Sequence, residues 1–354
     1  MPPAFSSPRQ AAGFALLLLL TLVSPPLAGK LGLLPPLEQA YASYAWGSGS
    51  YPYQQDQIFH QKGDIDILFI GSSHMNSAID PQYVEDHLSQ KLGRPATVIS
   101  LCWGGAGFDA LYFVASDVLQ HRKVRMLVFY DDHGKGEPFP LSWRFVRWSD
   151  RTEALSDLPW RFQVAYYYGS IIGMPRNLFN RLVPSLPIDL SPGKKIEIAQ
   201  DEFHPPFKWL GLNSPPAAVP LQTGAKPSDV CVYSPVTKAE FDFSGRSAPF
   251  FQVYFAKKLV ALAEAHQTRL VCLNIPILTD QKKDVISQGS LWPQVFSSHS
   301  ALVGIPPTKL FAGMSSEEAA GLYRNWAHLN DKGQAYFTSI VTPAMIQLYE
   351  QFNP

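Results

Sequence analysis

The chain has 354 residues, of which 46% are hydrophobic and 16% are charged, and its formal net charge at pH 7 is +0. This composition is sufficient for a packed core, and the length accommodates two average domains or one α/β domain with insertions. The balanced charge gives no overall field that would attract nucleic acid, so no nucleic-acid partner is expected.

The cysteines exclude two further classes of protein. Cys102, Cys231 and Cys272 are too few for a disulfide framework, and no CxxC pair predicts zinc binding. Cys272 lies within an apolar strand pattern, so we expect it to be a small core residue. The 31 prolines predict long irregular connections.

The N-terminal segment has the pattern of a targeting signal. Arg9 precedes an apolar run from Ala11 to Val23, which Pro25 and Pro26 interrupt. This run is shorter than the about 20 residues that a membrane span needs, and it matches the charged and apolar regions of a secretory signal. Because no good cleavage site follows, we expect residues 1–29 to be either a signal peptide or an N-terminal membrane anchor. The rest of the chain is then exported, to the periplasm or another extracytoplasmic compartment.

An alternation of strand and helix patterns begins after a linker. Residues 30–62 are rich in Pro, Gly, Ser and Tyr, a composition that predicts little regular structure. The alternation then predicts strands and helices in chain order: strand 65–70, helix 81–92, strand 96–101, helix 108–122 and strand 125–130. Such an alternation predicts a parallel, doubly wound α/β sheet with helices on both faces.

The alternation is lost between about 137 and 246 and then resumes. The interrupted segment is aromatic and Pro-rich, and its pattern is partly helical from Thr152 to Leu182. It is either a satellite core packed on the sheet or a lid over a binding site, since long insertions at a sheet edge often carry specificity. We therefore predict one α/β domain over 63–352, with this insertion inside it.

The C-terminal part resumes the α/β pattern. A helix is predicted over 248–267 and a fourth strand over 269–275. A final helix is expected to start around Gln334, with Asn330 or Asp331 as its cap. The Thr342-Pro343 pair predicts a break, with Pro343 opening a last short helix.

Three separated loops carry residues suited to acyl chemistry. Gly71-Ser72-Ser73-His74 follows the first strand, Gly104-Gly105 follows the second, and Asn325-x-x-His328 precedes the final helix. A serine hydroxyl becomes a good nucleophile only when a base such as imidazole takes its proton. Each residue also has a simpler interpretation, with Ser73 as a helix cap, Gly105 as a turn glycine and His328 as a structural hydrogen-bonding group.

In these blocks the sequence resembles the SGNH/GDSL hydrolase superfamily, over roughly residues 64–135 and 265–350. The resemblance implies a flavodoxin-like parallel α/β fold with the nucleophile at Ser73, the position two residues after Gly71. It further implies His328 as the general base, with Asn325 orienting it. Gly105 and the block after the third strand, at Asp132, would complete the oxyanion hole.

Two positions depart from that family's pattern. Tyr130-Asp131-Asp132-His133 stands where the family has asparagine, and an ionised aspartate cannot donate a hydrogen bond to an oxyanion. A backbone N–H, His133 or a protonated Asp132 would have to fill that role. The same segment is also consistent with part of a metal site, but no matching ligand cluster occurs elsewhere, so neither a metal nor another cofactor is expected.

The second departure is Asn325, which stands where the family has an aspartate. Asparagine can fix the imidazole ring by a hydrogen bond, but it stabilises an imidazolium less than a carboxylate does. Asp331 is an alternative carboxylate, although its position favours helix capping.

The resemblance extends to exported family members that transfer acyl groups on cell-surface polysaccharides together with a membrane-bound acyltransferase. We therefore expect an exported serine esterase or O-acyltransferase that acts on an acyl ester of such a polysaccharide. The alternative is a catalytically impaired SGNH-fold protein that binds or assembles an acylation complex, as the departures at Asp132 and Asn325 suggest.

Overall fold

The computed structural model describes residues 6–33, 36–38, 41, 51–102, 107–130, 136–138, 151–167, 224–234, 236–245, 247–295 and 297–352. The chain divides into two compact units, Met1–Ala45 with Glu137–Lys194 and Trp46–Gly136 with Lys195–Pro354. Ser73, Asn325 and His328 all belong to the second unit.

The first unit contains the N-terminal helix α1 (Pro8–Lys30). Ser7 caps it by accepting a hydrogen bond from the N–H of Gln10. The segment Pro8–Gly29 has a mean hydropathy of 2.0 and is 0% buried, so it is long and apolar enough to be a signal sequence or to cross a membrane. The helix extends past the apolar run that ends at Val23 and continues to Lys30.

The second unit is built on a mixed sheet of six strands in the described residues, in the order β2-β1-β3-β6-β8-β4. The first five strands in this order pair in parallel, and only the edge strand β4 is antiparallel to its neighbour β8. The strands of the described residues are β1 (Ile65–Gly71), β2 (Val98–Cys102), β3 (Val124–Phe129), β4 (Cys231–Val232), β5 (Phe241–Asp242), β6 (Arg269–Leu273), β7 (Ile286–Ser287) and β8 (Ser300–Gly304). The short strands β5 and β7 form a separate parallel pair. The four strands predicted from sequence are confirmed as parallel neighbours.

In the described part of the chain, the α-helices after α1 are α2 (Tyr51–Gln55), α3 (Ser73–Ala78), α4 (Pro81–Leu92), α5 (Phe108–His121), α6 (Thr152–Leu155), α7 (Phe250–Ala265), α8 (Trp292–Val295), α9 (Pro307–Leu310), α10 (Ser316–Ala320) and α11 (Asp331–Phe352). Residues 160–167 are also helical. Of the helix predicted from Thr152 to Leu182, the part after residue 167 lies outside the described residues.

Helices cover both faces of the sheet, as the sequence predicts. Met126 and Val128 of β3 belong to the core that includes Phe337 of α11. Phe129, the next residue along the strand, meets the ring of Phe108 of α5 at a centroid distance of 5.8 Å. Successive side chains of a strand point to opposite faces, so β3 is buried on both sides. Cys272 is fully buried in β6, which confirms its prediction as a core residue.

The predicted linker is structured near its end. Residues Tyr51–Gln55 form α2, and Asp56–His60 continue it as one π-helical turn. Gln54 donates from its side-chain amide to the carbonyl of Cys102 at 3.1 Å, and the buried Ile58 anchors the turn. Composition suggested an irregular segment, but these tertiary contacts order it.

The last part of the predicted insertion contributes a strand to the sheet. Cys231 of β4 pairs with Gly304 of β8 in the antiparallel ladder. The segment between 231 and 246 therefore supplies an edge strand of the second unit, as well as β5. These strands come before residue 246, near which the sequence predicts that the α/β pattern resumes.

Helix α11 closes the chain and differs from its prediction at Pro343. Asn330 accepts a hydrogen bond from the N–H of Gly333 at 3.0 Å, which confirms the predicted cap. The predicted break at Thr342-Pro343 is wrong, because the helix runs through Pro343. Val341 and Met345 are fully buried on either side of the proline. This burial stabilises the helix and outweighs the backbone hydrogen bond that proline cannot donate.

Candidate catalytic site

Strand β1 delivers Ser73 to the carboxyl edge of the sheet through a tight turn. A Cβ atom on Gly71 would lie 3.2 Å from Cβ of Met75, so the turn leaves little room for a larger residue. Ser72 is 1% exposed and caps α3, its hydroxyl oxygen accepting the N–H of His74 at 3.2 Å. Ser73 is then the first helical residue, and its side chain is half-buried. The helix cap is therefore Ser72, which leaves the hydroxyl of Ser73 available for another role.

His328 lies on a loop whose two ends are held together. Tyr323 and Leu329 form an antiparallel bridge, and Arg324 donates its N–H to the carbonyl of His328 at 2.8 Å. The N–H of Leu278 donates to the carbonyl of Trp326 at 3.0 Å, which fixes the tip of the loop. We call residues 323–329 the histidine loop.

Helix α11 connects the histidine loop to the serine turn. The side-chain amide of Gln334 donates to the carbonyls of Asn76 at 2.8 Å and Ile79 at 3.0 Å. These carbonyls lie at the end of α3, the helix that begins with Ser73. The first turn of α11, which directly follows the histidine loop, is therefore hydrogen-bonded to the helix that carries Ser73.

The two segments bring Ser73 and His328 into direct contact. The Oγ atom of Ser73 and the Nε2 atom of His328 are 2.8 Å apart. A general base must come within about 2.6–3.2 Å of the proton donor, so this distance is suited to proton transfer. On the other side of the ring, Nδ1 of His328 is 3.0 Å from Oδ1 of Asn325. The three residues form a serine–histidine–asparagine chain.

The surroundings of Asn325 determine which ring nitrogen of His328 carries the proton. The Oδ1 atom of Asn325 also accepts the backbone N–H groups of Ala327 and His328, each at 2.9 Å. An atom that accepts two backbone donors must be the amide oxygen, because the amide nitrogen only donates. Nδ1 of His328 therefore donates to this oxygen, and Nε2 keeps its lone pair. This is the tautomer that can take a proton from Ser73.

A second imidazole ring packs against the ring of His328. The imidazole of His74 stacks on that of His328 with centroids 4.6 Å apart and planes 8° apart. His74 also contacts Tyr130, immediately after β3, at a centroid distance of 5.3 Å. Sequence reasoning assigned no role to His74 or Tyr130. The one relevant feature of the sequence is that a histidine directly follows Ser73. Its stacking partner, His328, lies far away in the chain, so the contact could not be predicted.

The remaining predicted site residues lie outside the described part of the chain. Gly105 falls in 103–106, and Asp131, Asp132 and His133 fall in 131–135. Their roles in an oxyanion hole stay predictions. Among the described residues, no group of three or more His, Cys, Asp or Glu side chains is placed to hold a metal ion.

Cys102 is another residue with a potentially nucleophilic side chain at this edge of the sheet, since it ends β2 and pairs with Gly71 of β1. Complete burial raises the pKa of its thiol to about 12. A thiolate is the reactive form of cysteine, so Cys102 stays protonated and unreactive at neutral pH. The serine hydroxyl is the better candidate.

Comparisons of the chain with protein-family models, with curated proteins and with solved structures found no match. A proposal of function therefore rests on the geometry of Ser73, His328 and Asn325.

Proposed function

We propose that this protein is an exported serine esterase or O-acyltransferase of SGNH type, with Ser73 as nucleophile, His328 as general base and Asn325 as the residue that orients the base. The observation that carries the proposal is the 2.8 Å contact between Ser73 Oγ and His328 Nε2, in the tautomer that Asn325 imposes. A histidine that only stabilised structure would not need its acceptor nitrogen aimed at a half-exposed serine.

The chemistry follows from this arrangement. As Ser73 Oγ forms a bond to the acyl carbon, its proton moves to His328 Nε2 and the carbonyl π electrons move onto oxygen. The imidazolium then gives its proton to the departing alkoxide, which leaves an acyl-serine. In the second half of the reaction, water or a sugar hydroxyl gives its proton to His328 and attacks the acyl carbon. The bond from that carbon to Ser73 Oγ then breaks, the imidazolium returns the proton to Oγ, and the acid or the acylated sugar is released.

The negative oxygen of the intermediate needs hydrogen-bond donors. The N–H of Ser73 belongs to the first turn of α3, where backbone amides have no acceptor within the helix. Gly105 would supply a second N–H by the family resemblance. Each such donor contributes about 10²–10³ in rate.

The topology supports an SGNH-type fold. The five parallel strands, numbered among themselves, follow the order 2-1-3-4-5, which is the flavodoxin-like order. In such sheets ligands bind beyond the carboxyl ends of the strands where the order reverses, here between β1 and β3. Ser73 follows β1 and Tyr130 follows β3, so the site occupies this position.

The surface of the histidine loop supports a carbohydrate substrate. Trp326 lies between Asn325 and His328 and is 63% exposed. A flat exposed indole offers an apolar face for the C–H groups of a pyranose ring. Because α1 is long and apolar enough to be a signal sequence or a membrane anchor, we propose an acyl ester of a cell-surface polysaccharide as substrate and a membrane-bound acyltransferase as partner.

Labelling with a fluorophosphonate, which reacts with activated serines, tests the proposal. The protein should be labelled, while Ser73→Ala and His328→Ala should each abolish most of the labelling and the double variant should add little. Ser72→Ala is the matched control. It removes the cap of α3, at a cost of about 1 kcal/mol in stability, but keeps the hydroxyl of Ser73.

If the folded wild-type protein is not labelled and hydrolyses no acetylated sugar, the catalytic proposal is wrong. The binding or assembly role then replaces it. Asn325 is the observation that favours this second role, since it gives the base a neutral partner in place of a carboxylate.

A further inference from the structure

The base His328 has a hydrogen-bond partner at each ring nitrogen. Ser73 contacts Nε2 and Asn325 contacts Nδ1, so both bonds lie near the plane of the ring. Rotation of the ring about its Cβ–Cγ bond moves the lone pair of Nε2 out of line with the Ser73 proton. A contact on the face of the ring opposes this rotation directly.

His74 provides that contact. Its ring lies nearly parallel to the ring of His328, with planes 8° apart and centroids 4.6 Å apart. A tilt of His328 would bring its edge into the ring of His74. The stack therefore opposes rotation of the His328 ring out of its plane.

His74 is itself held firmly enough to act as a platform. It lies in the first turn of α3, and its N–H donates to the buried Ser72 hydroxyl. Tyr130 packs beside it at 5.3 Å, and both ring nitrogens of His74 are shielded from solvent. The platform is thus fixed to β1 and α3, the same segments that place Ser73.

We propose that His74 is a positioning residue for His328, and the proposal rests on the function proposed above. The ring of His74 keeps Nε2 of His328 aimed at Ser73.

Two variants separate the stack from the mere filling of space. His74→Phe keeps a flat aromatic ring, and His74→Leu has a similar volume without one. Fluorophosphonate labelling of Ser73 should slow about ten-fold or more in His74→Leu, since a misplacement of about 1 Å costs about 10²-fold. His74→Phe should stay within about three-fold of wild type, because a stacked ring remains on His328. Equal rates in the two variants would overturn the proposal.

Nitrogen-15 NMR of His328 gives a readout that does not depend on activity. Wild type and His74→Phe should show a single tautomer protonated at Nδ1, and His74→Leu should show averaging towards the free imidazole pattern. The wild-type protein can also be tested without any variant, because the ring current of His74 should shift the ring proton of His328 upfield. If a variant does not fold, this wild-type measurement still tests the proposal. A chemical shift of the His328 ring proton equal to that of a free imidazole would refute the stack.

The two proposals fail in different ways. A wild-type protein with the stacked, single-tautomer His328 but no labelling refutes the catalytic function and leaves the placement of His74 intact. Normal labelling in His74→Leu, with an unchanged His328 spectrum, refutes the role of His74 and leaves the catalytic function standing.

Discussion

Replacing Asn325 by aspartate should accelerate the attack of Ser73. In the native protein a neutral amide oxygen faces Nδ1 of His328 at 3.0 Å, so it offers a hydrogen bond but no charge. A carboxylate in the same place would accept the same N–H groups and would also attract the imidazolium that forms during attack. Aspartate is close in size to asparagine, so the geometry of the loop should be kept.

The size of the effect follows from the distance and the exposure. Two unit charges about 4 Å apart attract by about 1 kcal/mol in bulk water and by about 4 kcal/mol at an effective dielectric constant of about 20. Asn325 is exposed, so the lower part of this range applies. We expect a gain of about 1–2 kcal/mol in transition-state stabilisation, which corresponds to roughly 5- to 30-fold in rate.

The assay is the second-order rate constant for fluorophosphonate labelling at neutral pH, with hydrolysis of an activated acetyl ester as a second readout. Labelling of Asn325→Ala should be slower than that of wild type. The labelling rate constant should therefore fall from aspartate to asparagine to alanine at position 325. Gln294→Glu, at an exposed position of α8, controls for the added negative charge. A rate for Asn325→Asp at or below that of wild type would show that no imidazolium forms in the limiting step, and the base role of His328 would be refuted.

Four further predictions test the fold, the substrate and the location. Burial alone would raise the pKa of Asp66, but hydrogen bonds led by that from Arg94 outweigh it and hold the pKa below its ordinary value. Asp66→Asn should therefore cost about 2 kcal/mol of unfolding free energy at pH 7 in urea titrations. This difference should shrink as the pH falls below about 4, since a lowered pKa stabilises the fold only while the group is ionised. Gly333→Ala should lower the melting temperature and weaken labelling, because its methyl group would overlap the carbonyl oxygen of Leu322 and lie 3.0 Å from the carbonyl carbon; unchanged melting would contradict this packing. Trp326→Ala should raise KM for an acetylated oligosaccharide several-fold and leave kcat and the small activated ester unchanged, whereas equal effects on both substrates would exclude a sugar platform. A periplasm-dependent reporter fused after residue 60 should be active, and activity of a cytoplasmic reporter in its place would refute export.

Much of the fold could be predicted from local patterns. The apolar runs of β1 and β3 are buried on both faces of the sheet, and such runs between helical patterns identify parallel strands. Asn330 was recognisable as a cap because capping depends on residues within one turn. The errors occurred where distant contacts override local preference. Pro343 stays inside α11 because its neighbours are buried, and residues 51–60 are ordered by contacts with Cys102 and Arg122.

The sequence by itself determined the types of residue at the site and the segments that carry them. A strand ending in Gly-Ser-Ser and a late Asn-x-x-His can be recognised because each is a local pattern with a chemical meaning. Only the tertiary structure decided how they meet. Ser73 and His328 are 255 positions apart, and their 2.8 Å contact depends on the first turn of α11 packing against α3. The tautomer fixed by Asn325 and the stack with His74 depend on ångström distances that residue types do not specify, because they result from packing of the whole core.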